Sequence, residues 1–452
     1  MPTVRHPMGG LSAIKTEQEI ERAACVDAGA AIGEANAMAG ADESGARVQT
    51  MPRAVRGGDM VWSGLDIAIV HDWCPSWRGG ERVAAGLARL SGARTLYTLF
   101  DFLDDELKAR EFAGVAFKTS PAQRLPSIER YYRALFFACP FLIEQFDVTR
   151  HDAVISSSAA FARGIITRPD QPHLCYVHSP VRYAWDEQFS YLEQARMGWG
   201  PKALLYRRML YKLRQWDTRT AHGPDLMVAN STYVAGRIRR TYGREARVVF
   251  PPVDVDAFPL VEDKDDYYVT ASFLAPYKRT DLVIEAFRQM PDKRLLVVGD
   301  GQQANKLMRA PAPNVTFTGY LSQDRYVDAV SRAKALVFAG CEDFGIALAE
   351  AQAAGTALIA FGRGGASDIV APLDQSREPT GILFGRQTVE ALKAAVATFE
   401  ARSGEIAPEA CRANAVKFGP QRFNREMSAA LDAAIWLNRG MCEPVARRRS
   451  AG

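Results

Sequence analysis

Residues 334–355 read KALVFAGCEDFGIALAEAQAAG, and their reading decides the fold. KALVFAG is the short apolar run of a buried parallel strand, CEDFG is a loop, and the alanine-rich remainder is a helix. Strand, loop and helix make one βα unit, and open sheets built from such units bind ligands past the C-terminal strand ends. Free N–H groups at Gly345, Ile346 and Ala347 therefore suit an anionic phosphate. Glu342 precedes the helix, and Glu350 lies about five residues into it, roughly 7.5 Å along the axis at 1.5 Å per residue. Acids set against a helix dipole, plus one solvated glutamate, would give the same letters. The rest of the chain has to decide.

Outward from this unit the pattern repeats. Toward the N-terminus, LDIAIVHDW at 65, HDAVISSS at 151, PHLCYVHS at 172, DLMVANS at 225 and ARVVFPPV at 246 read as strands, with helical stretches such as GERVAAGLARL between them. After PPVDVDAF the alternation restarts. DDYYVTASFL, KRLLVVGDG, NVTFTGY, KALVFAG, TALIAFG and GILFG are strands, and DLVIEAFRQM, DRYVDAVSRA, FGIALAEAQAA and TVEALKAAVATF are the helices between them. The expected fold class is α/β, with two doubly wound Rossmann-like domains facing each other across a ligand cleft. They span residues 65–250 and 251–415, with a Pro-Pro boundary near 251, a C-terminal helix at 416–438 packing back on the first domain, and a flexible tail at 439–452. Residues 1–64 are rich in Ala, Gly and scattered charge, with only a weak helical patch near 13–30. They read as a disordered extension, or as residues upstream of a misassigned start near Met60.

Bulk properties exclude several classes. The 452 residues carry 56 Lys+Arg against 52 Asp+Glu, a net +4 that gives no argument for nucleic acid. Seven cysteines form no metal-binding spacing, which leaves reduced thiols as the expectation. No run of about 18 apolar residues is present to span a bilayer. The dinucleotide fingerprint G-x-G-x-x-G is absent from SWRGGERV (76–83) and from VVGDGQQ, which argues against a nicotinamide enzyme.

Three other loops join the first. In SWRGGERV, Gly79 and Gly80 let backbone N–H groups approach a phosphate or sugar at a helix start, although a tight βα turn also needs glycine. CYVHSPVRYAWD (175–186) crowds His178, Arg182, Tyr183, Trp185 and Asp186 just past a strand end. In ASFLAPYKRTDLVIEAF (271–287), Lys278 and Arg279 stand before a helix, where two cations suit a diphosphate. Carboxylates separated as Glu342 and Glu350 are could accept hydroxyls from opposite ends of an extended ligand with phosphates between them. A nucleotide-sugar has that layout.

Glu342, Phe344, Gly345 and Glu350 also form the E-x-F-G-x-x-x-x-E pattern of retaining glycosyltransferases of family four, which have the GT-B fold. The chain resembles that family from about 65 to 438, including GGERV, YVHSPVRYAWD, ANSTYVAGRIRRTYG, PPVDVDAF, PYKRTDLVIEAF and VVGDG. YVHSPVRYAWD with PYKRTDL looks most like bacterial mannosyltransferases that build exopolysaccharide or O-antigen units from GDP-mannose. The resemblance implies that Glu342 binds the donor sugar's hydroxyls and Glu350 the nucleotide ribose. It further implies that Lys278 binds the diphosphate, His178 sits by the reacting sugar, and Gly79 with Gly80 lines the cleft floor. The family's phosphate-binding arginine, five residues before the lysine, is Phe273 here, and Arg279 or Arg182 is expected to replace it.

The implied reaction moves a sugar from a nucleotide-sugar donor to a saccharide or polyprenyl-diphosphate-linked acceptor, with retention and without a covalent nucleophile. No cofactor is expected, and no metal, because the Asp-x-Asp at residues 254–256 falls in the interdomain linker. The basic and aromatic stretches 130–146 and 197–216 read as membrane-surface helices, although a core helix with a solvated basic face has the same composition. The expected location is cytoplasmic, at the inner face of the plasma membrane. Two other readings share these residues: a GT-B-like nucleotide-sugar epimerase and a catalytically silent nucleotide-sugar-binding subunit.

Overall fold

The computed structural model describes residues 61–194, 198–309 and 312–442, which belong to one compact unit beginning at Gly58. Seven parallel strands build the first sheet: β1 (Ile67–His71), β2 (Thr95–Thr98), β3 (Ala116–Thr119), β4 (Ala153–Ser158), β5 (His173–Val177), β6 (Leu226–Ala229) and β7 (Arg247–Val248), in the order β3-β2-β1-β4-β5-β6-β7. Six more build the second: β8 (Asp265–Ala271), β9 (Leu295–Val298), β10 (Val315–Gly319), β11 (Ala333–Phe338), β12 (Ala357–Phe361) and β13 (Gly381–Phe384), in the order β10-β9-β8-β11-β12-β13. Every residue of β1, β4, β5 and β12 is buried, because helices cover both faces of a parallel sheet and demand apolar side chains on each. This two-domain α/β architecture is the GT-B fold.

Each sheet reverses its strand order once, between β1 and β4 and between β8 and β11. Crevices form at such reversals, since the flanking connections run to opposite faces. Four helices bear on the cleft, the surface and the joining of the domains: α1 (Gly79–Ser91), α2 (Pro201–Thr220), α3 (Ile346–Ala353) and α4 (Pro420–Cys442).

The chain passes between the domains twice, and the passages are tied together. Val253 N–H donates to the Phe418 carbonyl at 2.9 Å. The rings of Phe250, Phe344 and Phe418 pack pairwise with centroids 5.2–5.7 Å apart. Proline opens α4, where its missing N–H costs nothing. Phe423, Met427, Ala430, Leu431, Ala434 and Ile435 of α4 then merge with the core of the first domain.

Three expected boundaries shift. The terminal helix runs Pro420–Cys442 rather than 416–438, so residues 439–442 are its last turn and not a tail. The expected extension reaches too far at its end. Val61–Gly64 form a turn in which Trp62 is buried in the core and Val61 N–H donates to Asp432 of α4 at 3.1 Å. Residues 1–60, with the helical patch near 13–30, and residues 443–452 lie outside the described residues. Strands β2 and β3 are additional to the expected set.

Candidate active site

The C-terminal ends of β1, β5, β8 and β11 converge on a cavity of about 360 Å³ between the two sheets. Gly79, Gly80 and His178 line it from the first domain. Ser272, Phe273, Lys278, Glu342, Phe344, Gly345 and Ile346 line it from the second. Gly345 caps α3 at φ +96°, a left-handed conformation that a side chain would strain. Gly79 meets the same helix start: a Cβ there would lie 2.7 Å from Ile346 Cδ1, so the glycine permits the close approach of the domains.

Lys278 and Glu342 form an ion pair across the cavity wall, each largely shielded from solvent. Burial, with Arg182 and Arg78 nearby, lowers the Lys278 ammonium from its ordinary value to about 7, while Asp343 acts in the opposite direction. The loop carrying Glu342 is anchored by its carbonyl, which accepts from Gly365 N–H at 2.9 Å. An anion entering the cavity would find a poised cation and the free N–H groups of α3 on one wall.

His178 follows β5. Its Nε2 lies 2.8 Å from Ser157 Oγ, which in turn lies 3.1 Å from His71 Nδ1. Burial and the neighbouring His71 depress His178 to about 3, so its imidazole is neutral at physiological pH. It can exchange hydrogen bonds with a sugar hydroxyl, but it brings no charge. Asn230 Nδ2 holds the His178 carbonyl at 3.0 Å and also lines the cavity.

Three expected residues sit elsewhere. Glu350 is buried outside the cavity lining, its carboxylate taken by Arg82 Nη1 at 2.8 Å and by the Tyr326 hydroxyl at 2.7 Å. Arg279 turns its guanidinium to Asp281. Arg182 is held by Asp343 at 2.8 Å and Glu187 at 3.2 Å. Both arginines are thus paired, and neither lines the cavity beside Phe273. Arg78, just before the glycine pair, lies over the Phe273 ring instead, 4.6 Å from its centroid.

Sequence reasoning also missed Asn230, Ser272, Arg82, Tyr326 and Arg237, whose Nη1 holds Asp343 at 3.0 Å. Asn230 and Ser272 stand at strand ends in stretches already singled out, so position alone could have found them. No signal marks Arg82 as the partner of Glu350, 268 residues away. Among the described residues no group of three or more His, Cys, Asp or Glu side chains could hold a metal ion.

Two family models match the chain in tandem, Glycosyltransferase Family 4 over residues 77–257 and Glycosyl transferases group 1 over residues 254–418. Solved structures share the fold over most of its length. Anabaena HepE in complex with UDP-glucose is 16% identical, covering 80% of this chain and 98% of that one at a TM-score of 0.58. Sucrose-phosphate synthase from Thermosynechococcus elongatus is 18% identical, with coverage of 85% and 99% and a TM-score of 0.55. WaaG, described as a glycosyltransferase involved in lipopolysaccharide biosynthesis, is 15% identical, with coverage of 80% and 98% and a TM-score of 0.55. Comparison with curated proteins gives no match.

Proposed function

On the premise that this chain belongs to the GT-B glycosyltransferases, we propose that it moves mannose from GDP-mannose, with retention, onto a lipid-linked saccharide in exopolysaccharide or O-antigen assembly. The observation that carries a nucleotide-sugar donor is the cavity itself. There Lys278, Glu342, the start of α3 and neutral His178 meet between the C-terminal strand ends of the two sheets. The UDP-glucose held by HepE supports the same donor class. The choice of mannose rests on the resemblance of YVHSPVRYAWD and PYKRTDL.

In the proposed step the bond from the anomeric carbon to the β-phosphate oxygen breaks, and its electron pair stays on that oxygen. The acceptor hydroxyl oxygen bonds the anomeric carbon on the same face and passes its proton to the departing diphosphate. Lys278 and the α3 N–H groups stabilise the charge that develops there. Glu342, once freed from Lys278 by the diphosphate, accepts hydrogen bonds from the sugar hydroxyls. The reaction is proposed to need no metal, and to proceed undiminished in excess chelator.

The protein is also proposed to meet the inner face of the plasma membrane. Among the described residues no helix is long and apolar enough to cross a bilayer. The surface nevertheless exposes Trp199, Leu204, Leu205 and Tyr211 beside Lys202, Arg208 and Lys212.

The test is nucleotide release by the purified full chain from GDP-mannose, UDP-glucose and other nucleotide-sugars, with and without a saccharide acceptor. Release from GDP-mannose that depends on the acceptor is expected. Release from UDP-glucose alone would overturn the choice of mannose. Donor isomerisation without transfer would favour an epimerase, and binding without turnover a silent subunit.

A further inference from the structure

Position 273 poses a problem of charge. Removing a cation from a diphosphate site leaves a dianion facing one lysine and one helix N-terminus, which contributes only about half a charge. Phe273 lines the cavity next to Ser272, whose hydroxyl is buried without a hydrogen-bond partner. The Arg78 guanidinium covers the Phe273 ring from the other domain. Among the described residues no carboxylate lies within salt-bridge distance of that guanidinium.

We infer that Arg78 supplies the cation missing at position 273 and binds the β-phosphate of the donor from across the cleft, an inference that rests on the nucleotide-sugar reading of this cavity. Three features suit it to the task. Its backbone is fixed, because the N–H of Arg78 donates to the buried Glu81 carboxylate at 3.1 Å and the residue caps α1. Its guanidinium lies on an aromatic face, which leaves the in-plane N–H groups free for the forked geometry that phosphate oxygens accept. It directly precedes Gly79 and Gly80, which line the same cavity as Lys278 and Phe273. Phe273 is then the platform that positions the replacement, and position 78 takes over the charge.

The exchange has a functional consequence. Lys278 and α3 belong to the second domain and Arg78 to the first. Both walls must meet before the diphosphate is fully neutralised. When the anomeric carbon–oxygen bond breaks and the electron pair moves to the β-phosphate, Arg78 receives part of that charge. Leaving-group stabilisation is complete only in the closed cleft.

The experiment measures equilibrium binding of UDP, GDP and ADP, and of the matching monophosphates, to the full chain, followed by donor turnover. Arg78→Met keeps an apolar stem on the Phe273 ring and removes the charge together with the guanidinium N–H donors. It should weaken the preferred diphosphate at least about tenfold, the range for hydrogen bonds to charged groups, and leave the monophosphate within about twofold. Turnover should fall about a hundredfold. Adding Phe273→Arg to Arg78→Met should restore diphosphate affinity at least about tenfold. Wild-type protein that binds no diphosphate would remove the donor-site reading and this inference with it. A wild type that binds diphosphate, with Arg78→Met binding equally well, would overturn the role of Arg78 alone. Failure of Phe273→Arg to rescue would do the same, since the proposed role is charge at that phosphate.

Discussion

Lys278 is held at about 7 by burial and by the arginines near it, so part of the ligand-free protein lacks this charge at neutral pH. A diphosphate dianion favours the ammonium form, and binding should therefore draw in a proton. Below pH 7 the ammonium is already present and affinity is flat with respect to this group. Above pH 7 the free protein has lost the proton, and affinity falls toward tenfold per pH unit. Calorimetry in buffers of different ionisation enthalpy should register proton uptake near pH 8 that Lys278→Met abolishes. Equal heats in all buffers would mean that Lys278 is charged throughout. Lys278→Ala should also lower turnover about a hundredfold, because one preorganised donor at a departing anion is worth on the order of 3 kcal/mol. His178 behaves in the opposite sense. Its depressed value of about 3, against an ordinary 6.5, means that the unfolded chain binds the extra proton first, so stability is lost as pH falls below about 6.5.

Among the elements, α2 shows how composition becomes a surface. Ala203, Leu210, Leu213, Asp217 and Thr220 recur at helical spacing and are buried. Leu204, Arg208, Tyr211 and Lys212 fall one turn apart on the other side and are exposed. Burial of one leucine in an apolar phase is worth roughly 1.5–3 kcal/mol. Replacing Leu204 and Leu205 together with Ser should thus cut co-sedimentation with anionic vesicles at least about tenfold, while transfer to a soluble acceptor stays normal. Unchanged sedimentation would place the membrane contact elsewhere or nowhere.

The same scale explains which elements the sequence revealed. Strands such as β4 and β12 are buried on both faces and write unbroken apolar runs. β2 and β3 have four residues each, TLYT and AFKT, and β3 at the sheet edge alternates exposed and half-buried positions, so neither stands out from a loop. The site divides in a similar way. Lys278, Glu342 and Gly345 lie in loops between legible strands and helices, and their place in the cavity could be read. Arg78, Arg82 and Arg237 act on partners in the opposite domain, and one chain's local pattern carries no record of what faces it after folding.

For the whole molecule, the two domains are held together by charge as well as by the paired passages. Asp343 of the second domain accepts from Arg182 at 2.8 Å and from Arg237 at 3.0 Å, both of the first domain. Asp368 accepts from the Thr232 N–H at 2.8 Å, a further bond across the cleft. Domains joined through limited polar contacts are expected to move relative to each other. The Asp343 pairs are only partly exposed, so salt screens them less than surface pairs. Asp343→Asn keeps the shape and removes the charge from both pairs. A loss of about 1–2 kcal/mol would change the closed-to-open ratio by a factor of about 5–30. Small-angle scattering of the ligand-free variant should give a larger radius of gyration than wild type, and saturating nucleoside diphosphate should bring the two together. The bound ligand restores closure because Lys278 and Arg78 then grip one diphosphate from both walls. If the ligand-free variant scatters as wild type does, the two chain passages and α4 fix the domains unaided, and the electrostatic latch has no role in closure.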